Sequence, residues 1–141
     1  VAVRLSPRLL AIVDALPLAP GLRVLEIGCG PGAAAREVAH RVGPTGHVLA
    51  IDRSARAIAQ ASASAAPNLT FRQAAVEAFE LEPGEPPYDL AFAARVGALD
   101  GRHSDLEPRA LRAIAAALTP EGVLMVDGRL RTTGRGADGG R

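Results

Sequence analysis

The sequence holds no lysine and no tryptophan, one cysteine, one methionine, one tyrosine and three phenylalanines among 141 residues. Yet 48% of the chain is hydrophobic, so the core has to be built from Leu, Val, Ile and Ala. A single cysteine, Cys29, excludes an intrachain disulfide framework and argues for a reducing compartment. No apolar run approaches the roughly 20 residues that span a bilayer. The N-terminal residues also lack a charged-then-apolar signal pattern, so the expected location is cytoplasmic and no membrane partner is expected. A net charge of +1, carried on the basic side by arginine alone, gives no reason to expect nucleic acid as a partner. The expected partner is a small molecule. At this length the chain reads as one domain over residues 1–128, followed by a Gly- and Arg-rich tail, 129–141, without periodicity.

Helical and strand patterns alternate along the chain. Apolar residues Leu5, Leu9, Ile12, Val13 and Leu16 fall at three- and four-residue steps, which predicts an amphipathic helix over 5–16. Short apolar runs at 22–27, 47–52, 69–74, 88–93 and 123–127 predict five buried strands. Between them lie helical segments starting at Pro31, after Ser54 as N-cap to about residue 65, and over 106–118. A shorter helical piece is expected at 77–79, a proline-rich loop at 82–87 and a turn at 119–122. This alternation is the signature of an α/β fold: a doubly wound, mainly parallel sheet with helices on both faces.

In such a sheet, ligands lie outside the carboxyl ends of the strands, where the strand order reverses. The first strand ends in Glu26-Ile27-Gly28-Cys29-Gly30-Pro31-Gly32, three glycines at alternate positions immediately before a helix. The glycines let backbone approach a ligand, and the helix start offers free N–H groups. Asp52, at the tip of the second strand, is placed to accept hydrogen bonds from ribose hydroxyls. Taken alone, Gly28-Cys29-Gly30-Pro31-Gly32-Ala33 also fits the Gly-x-Gly-x-x-Ala variant of the dinucleotide fingerprint. Glu26 separates the two readings, because a carboxylate beside the ligand path repels a pyrophosphate and suits a cation.

Val24-Leu25-Glu26-Ile27-Gly28-Cys29-Gly30-Pro31-Gly32 resembles the first motif of class I S-adenosylmethionine-dependent methyltransferases. Ala50-Ile51-Asp52-Arg53-Ser54 resembles their second motif, and Tyr88-Asp89-Leu90-Ala91-Phe92 their fourth-strand motif. The resemblance implies a Rossmann-like sheet and S-adenosyl-L-methionine as cofactor. It implies that Gly28, Cys29, Gly30 and Gly32 line the methionine and ribose portion, with Glu26 near the amino-acid moiety. Asp52 would take the ribose hydroxyls and Arg53 would lie against the adenine. Where the family commonly has Gly-Asp-Ala, this chain reads Ala74-Ala75-Val76, so the loop of Val76 with Glu77 stands in for the missing aspartate. The family's sheet usually has seven strands with an antiparallel last hairpin, and the pattern here shows five. The apolar strand 123–127 would then need its open edge covered by a second subunit or by the tail.

No catalytic residue is identified. Arg95 and His103 follow the fourth strand, where substrates bind in this fold, and are the candidates; Arg95 either holds a substrate carboxylate or pairs with Asp89 or Asp100, and a lone loop His is more often structural than catalytic. Cys29 lacks a recognisable partner and reads as a space-filler rather than a nucleophile. No metal-ligand spacing occurs. Three readings follow: methyl transfer to a small-molecule nucleophile, a cofactor-binding module without catalysis, and a nicotinamide-dependent reductase. The last lacks a Tyr-x-x-x-Lys pair, since the chain has no lysine.

Overall fold

Alternate residues of the central strands point to opposite faces, and this alternation decides where each helix lies. The structure, a computed structural model, describes residues 4–63 and 65–134. Its elements are α1 (Pro7–Ala15), β1 (Arg23–Ile27), α2 (Ala33–Val42), β2 (His47–Asp52), α3 (Ala55–Ser62), β3 (Leu69–Gln73) and β4 (Tyr88–Ala93), then α4 (Gly97–Asp100), α5 (Glu107–Ala117), β5 (Leu118–Val126) and β6 (Arg129–Arg131). A 3₁₀ turn, Val76–Ala78, follows β3. On one face Val24, Val48, Leu90 and Phe92 pack with Val13 of α1 and Val38 of α2. On the other, Leu25, Leu49, Ile51 and Ala91 pack with Ile114 of α5. Both layers are aliphatic, as the scarcity of aromatics requires.

The sheet order is β3-β2-β1-β4-β5-β6, with β1 to β5 parallel. The order reverses between β1 and β4, so the end of β1 opens into the crevice where a doubly wound sheet takes its ligand. Capping fixes the helix that crosses this edge. Ser6 accepts a hydrogen bond from Leu9 N–H (3.2 Å), and Pro7 occupies the first helical position, where an N–H has no intrahelical partner.

Three features differ from the sequence reading. The sheet has six strands, not five: Arg129–Arg131, placed by sequence in an unstructured tail, pairs antiparallel with β5. Asp127 (φ 51°) and Gly128 (φ 82°) form the two-residue connection, and positive φ at both positions is what a type I′ hairpin turn demands. The tail therefore covers the β5 edge, and a homodimer is not needed for that purpose. Residues 135–141 of the tail lie outside the described residues. The second difference is at 119–122. Tyr88 pairs with Leu118 and Leu90 with Val123, so β5 starts earlier than expected and extrudes the Thr119-Pro120-Glu121-Gly122 turn between two paired stretches. Gly97–Asp100 also forms one helical turn where sequence suggested a loop.

Candidate functional site

The glycine turn leaves β1 in a left-handed conformation that side chains resist. Gly28 has φ 70°, and a Cβ there would stand 2.7 Å from Val96 Cγ2. Gly30 has φ 52° with nothing within 4 Å of a built Cβ, so its exposed side opens onto free space. Gly32 differs: its Cβ would meet the Phe71 ring at 2.9 Å and Ala61 Cβ at 3.3 Å. It serves close packing of α2 on its neighbours and lines neither of the hollows described below. Asp52 braces the turn from the next strand. One carboxylate oxygen accepts from Gly30 N–H and the other from Ser54 N–H, both at 2.9 Å.

Two hollows meet at Gly28 and Arg95. One, of about 220 Å³, lies over the ends of β1 to β4 and is lined by Asp52, Arg53, Val76, Glu77, Val96 and His103, among others. Arg53 is ion-paired to Glu77 at 2.7 Å, which fixes one edge of this hollow. His103 closes another edge against Gly97, where a Cβ would stand 2.3 Å from the imidazole. The second hollow, of about 370 Å³, lies under α1 and is lined by Arg4, Arg8, Glu26, Cys29, Gly30 and Ala34, among others. The sequence-predicted residues thus divide: Asp52, Arg53, Val76, Glu77 and His103 on one side, Glu26, Cys29 and Gly30 on the other, Gly28 and Arg95 between.

Glu26 is the anomaly of the core. Period-two alternation turns it toward α1 and α2, the face of Val24 and Phe92, where it is only 3% exposed. Its Oε1 is buried without a hydrogen-bond partner. Burial first, then the charge of Asp52, pushes the carboxyl up to about 8. A carboxylate without a partner in an apolar layer costs folding free energy, and a native chain tolerates this where a ligand completes the site. Cys29 is also buried, and its thiol donates to Gly30 C=O at 3.5 Å. Burial, Glu26 and Asp52 push that thiol up to about 12, so it stays protonated at neutral pH and is a poor nucleophile.

Three contributors escaped the sequence reading. Arg4 precedes α1 and Arg8 lies in its first turn, but nothing local shows that α1 crosses above the glycine turn. Asp127 accepts a hydrogen bond from Arg95 N–H at 2.8 Å, tying the β5–β6 hairpin to the site. The adjacent Asp127-Gly128 pair, a strong short-range hairpin signal, could have revealed it.

Residues 24–122 match the model of a methyltransferase domain. The chain belongs to this family. Among similar sequences, the methyltransferase domain is 38% identical over 111 residues to a trans-aconitate 2-methyltransferase of Paracidovorax citrulli and, likewise, to one of Methylobacterium nodulans. Each alignment covers 79% of this chain and 40% of the relative, so the chain spans about two fifths of those proteins. Among solved structures, an S-adenosylmethionine-dependent methyltransferase from Mesorhizobium loti superposes with a TM-score of 0.64 at 28% identity, over 81% of this chain and 50% of that one. The domain thus has the expected Rossmann-like methyltransferase fold. Among the described residues no helix is long and apolar enough to cross a membrane.

Proposed function

We propose that this methyltransferase domain binds S-adenosyl-L-methionine across the two hollows and transfers its methyl group to a small-molecule nucleophile. The supporting observation is the unpartnered, buried Glu26 oxygen beside an open left-handed glycine turn. A ligand with an ammonium and a sulfonium group favours the ionised form of Glu26 and takes the place of its proton, whereas a pyrophosphate would hold the carboxyl neutral and gain nothing from it. The names of the similar sequences and the Mesorhizobium loti structure agree with this reading.

The fit extends to the other hollow. Asp52, already holding the turn through single hydrogen bonds to each oxygen, keeps lone pairs for a ribose diol. Val76 gives an apolar wall and the Arg53–Glu77 pair a polar edge suited to a purine. Gly28 and Gly30 keep the path between the hollows free of side chains. When bound, the cofactor supplies a methyl group already activated by its positive sulfur. The chain's own residues then have to align an acceptor, exclude water and hold charge, which explains why a triad or metal cluster is not required. We place this activity in the cytoplasm, with a small acid as the leading acceptor class, as the relatives' names suggest.

Calorimetric titration with S-adenosylhomocysteine, in parallel with NADH, tests the reading. Micromolar binding of the homocysteine compound and none of NADH is the expected result. Binding of NADH alone would overturn it in favour of a reductase, and binding without transfer to any acid would leave a cofactor-binding module.

A further inference from the structure

Arginine is the only basic side chain this protein uses besides histidine, and five of the described arginines are held in ion pairs. Arg41 pairs with Asp14 and Glu37, Arg53 with Glu77, Arg72 with Glu82 and Glu85, Arg102 with Asp100, and Arg131 with Glu107. The rim of the α1 hollow gathers three that are not. Arg4, Arg8 and Arg95 all line it, and among the described residues none of the three guanidinium groups has a hydrogen-bond or ion-pair partner.

Arg95 carries a second distinction. It is one of two described non-glycine residues with positive φ (55°), a conformation that side-chain-bearing residues resist. That conformation is clamped from both sides: Arg95 N–H donates to Asp127 Oδ1 at 2.8 Å, and Arg95 C=O accepts from Arg102 Nη2 at 2.6 Å. The backbone is thus held in a strained state while the side chain is left free at the junction of the two hollows. A floor carboxylate, Glu26, buried and with an unpartnered oxygen, faces this cationic rim across the same space.

Charge accounting points to an acceptor rather than to the cofactor alone. S-adenosylmethionine brings one carboxylate, one ammonium and one sulfonium; Glu26 offsets a positive group, and one arginine suffices for the single carboxylate. At least two guanidinium groups remain unmatched along the rim of the hollow. We infer that Arg95, Arg4 and Arg8 form the recognition rim for a methyl acceptor carrying two or more carboxylates, with Asp127 as the positioning residue that sets Arg95. The inference rests on the proposed cofactor reading and adds to it the class of acceptor and the residues that select it. Bidentate pairing to planar guanidinium groups gives such a rim geometric as well as electrostatic selectivity.

The test uses the 141-residue protein saturated with S-adenosylhomocysteine, titrated calorimetrically with trans-aconitate and with its uncharged trimethyl ester as probes. The acid is expected to bind, more weakly as salt rises, and the ester not to bind. Arg4→Gln/Arg8→Gln and Arg95→Gln are each expected to weaken acid binding about tenfold or more, a larger loss than any in affinity for S-adenosylhomocysteine, which has one carboxylate to lose a partner for. Arg95→Gly separates recognition from folding: with the strain relieved it should melt no lower than the parent yet lose acid binding to the same extent. Equal binding of the ester, no acid binding by protein that holds S-adenosylhomocysteine, or variants that lose S-adenosylhomocysteine but keep the acid would each overturn the inference. Failure of S-adenosylhomocysteine itself to bind removes the cofactor reading, and the acceptor rim falls with it.

Discussion

The two ends of β1, only four residues apart, are built on opposite terms. At Arg23 the backbone N–H and the side chain are both tied into the fold. Its N–H donates to Asp89 Oδ2 at 2.9 Å, its guanidinium donates to the carbonyls of Pro86 (3.1 Å) and Pro87 (3.3 Å), and it lies over the Tyr88 ring at 4.7 Å. Tyr88 O–H in turn donates to Glu85 at 2.5 Å, and Arg72 grips the same carboxylate with two bonds at 3.1 Å. Burial pushes Glu85 upward, but the bonds from Arg72, Tyr88 and Glu82 N–H outweigh it and hold the carboxyl below its ordinary value. At the other end stand an unpartnered Glu26 oxygen, a left-handed turn and an unpaired Arg95. One end spends its polar groups on the fold, and the other keeps them for a ligand. Substitutions at the two ends should therefore separate stability from binding.

The largest effect is expected at the paired end. Tyr88→Ala empties a site that is 1% exposed and removes one of the donors to Glu85, which should destabilise the protein by about 3–5 kcal/mol in urea unfolding. Affinity of the remaining folded protein for S-adenosylhomocysteine should stay within about twofold. A large loss of affinity would mean that the ends are coupled and the contrast is false.

Glu26→Gln should do the reverse. In the unfolded chain the carboxyl ionises near its ordinary 4.5, in the folded protein at about 8. Below 4.5 both states are protonated, so burial carries no ionic cost. Between 4.5 and 8 the unfolded chain releases its proton and the folded one retains it, so stability from this group falls as pH rises and levels off above 8. Gln removes that slope, and at pH 9 the variant should be more stable by about 2–4 kcal/mol. Its affinity for S-adenosylmethionine should drop about tenfold or more. Binding to the parent protein at pH 7 should also release a proton, seen as a dependence of calorimetric heat on the buffer's ionisation enthalpy. Parallel pH profiles for parent and variant would remove Glu26 from the site.

A matched pair of aspartates sharpens the comparison at smaller scale. Asp52 and Asp89 each accept a backbone N–H at 2.9 Å, from Gly30 and Arg23 respectively. Either substitution by Ala should cost about 1–2 kcal/mol of stability. Only Asp52→Ala should weaken S-adenosylhomocysteine binding as well, by roughly 1.5–3 kcal/mol for a lost charge-assisted contact. Equal affinities for the two variants would show that Asp52, too, is spent on the fold.

What could be seen in the sequence follows the same division. The parallel strands were legible because their apolar runs are local and continuous, and Glu26 stood out because a carboxylate interrupts one of them. Asp52 was legible as a strand-end acid, though not its hold on Gly30, which depends on register between β1 and β2. The approach of α1, which brings Arg4 and Arg8 over the turn, is a tertiary fact with no local signature. So is the clamp of Arg95 by Asp127, 32 residues away. The sixth strand was missed for another reason: a Gly- and Arg-rich composition masked the Asp127-Gly128 hairpin turn that begins it.

The finest test lies inside the glycine turn, where sequence treats three glycines alike. Gly30→Ala and Gly32→Ala both place a side chain at positive φ, 52° and 89°, which should cost about 1 kcal/mol of stability each. Gly32→Ala must also displace the Phe71 ring from 2.9 Å, adding about 1 kcal/mol by overpacking, so it should be the less stable of the two. Gly30→Ala meets nothing in the protein, and its methyl group projects into open space at the α1 hollow. It should therefore lose more S-adenosylhomocysteine affinity than Gly32→Ala while unfolding later. If the order of affinities were reversed, Gly32 would belong to the binding surface and Gly30 to the frame. The left-handed backbone, rather than the space above it, would then be what the ligand requires of the turn.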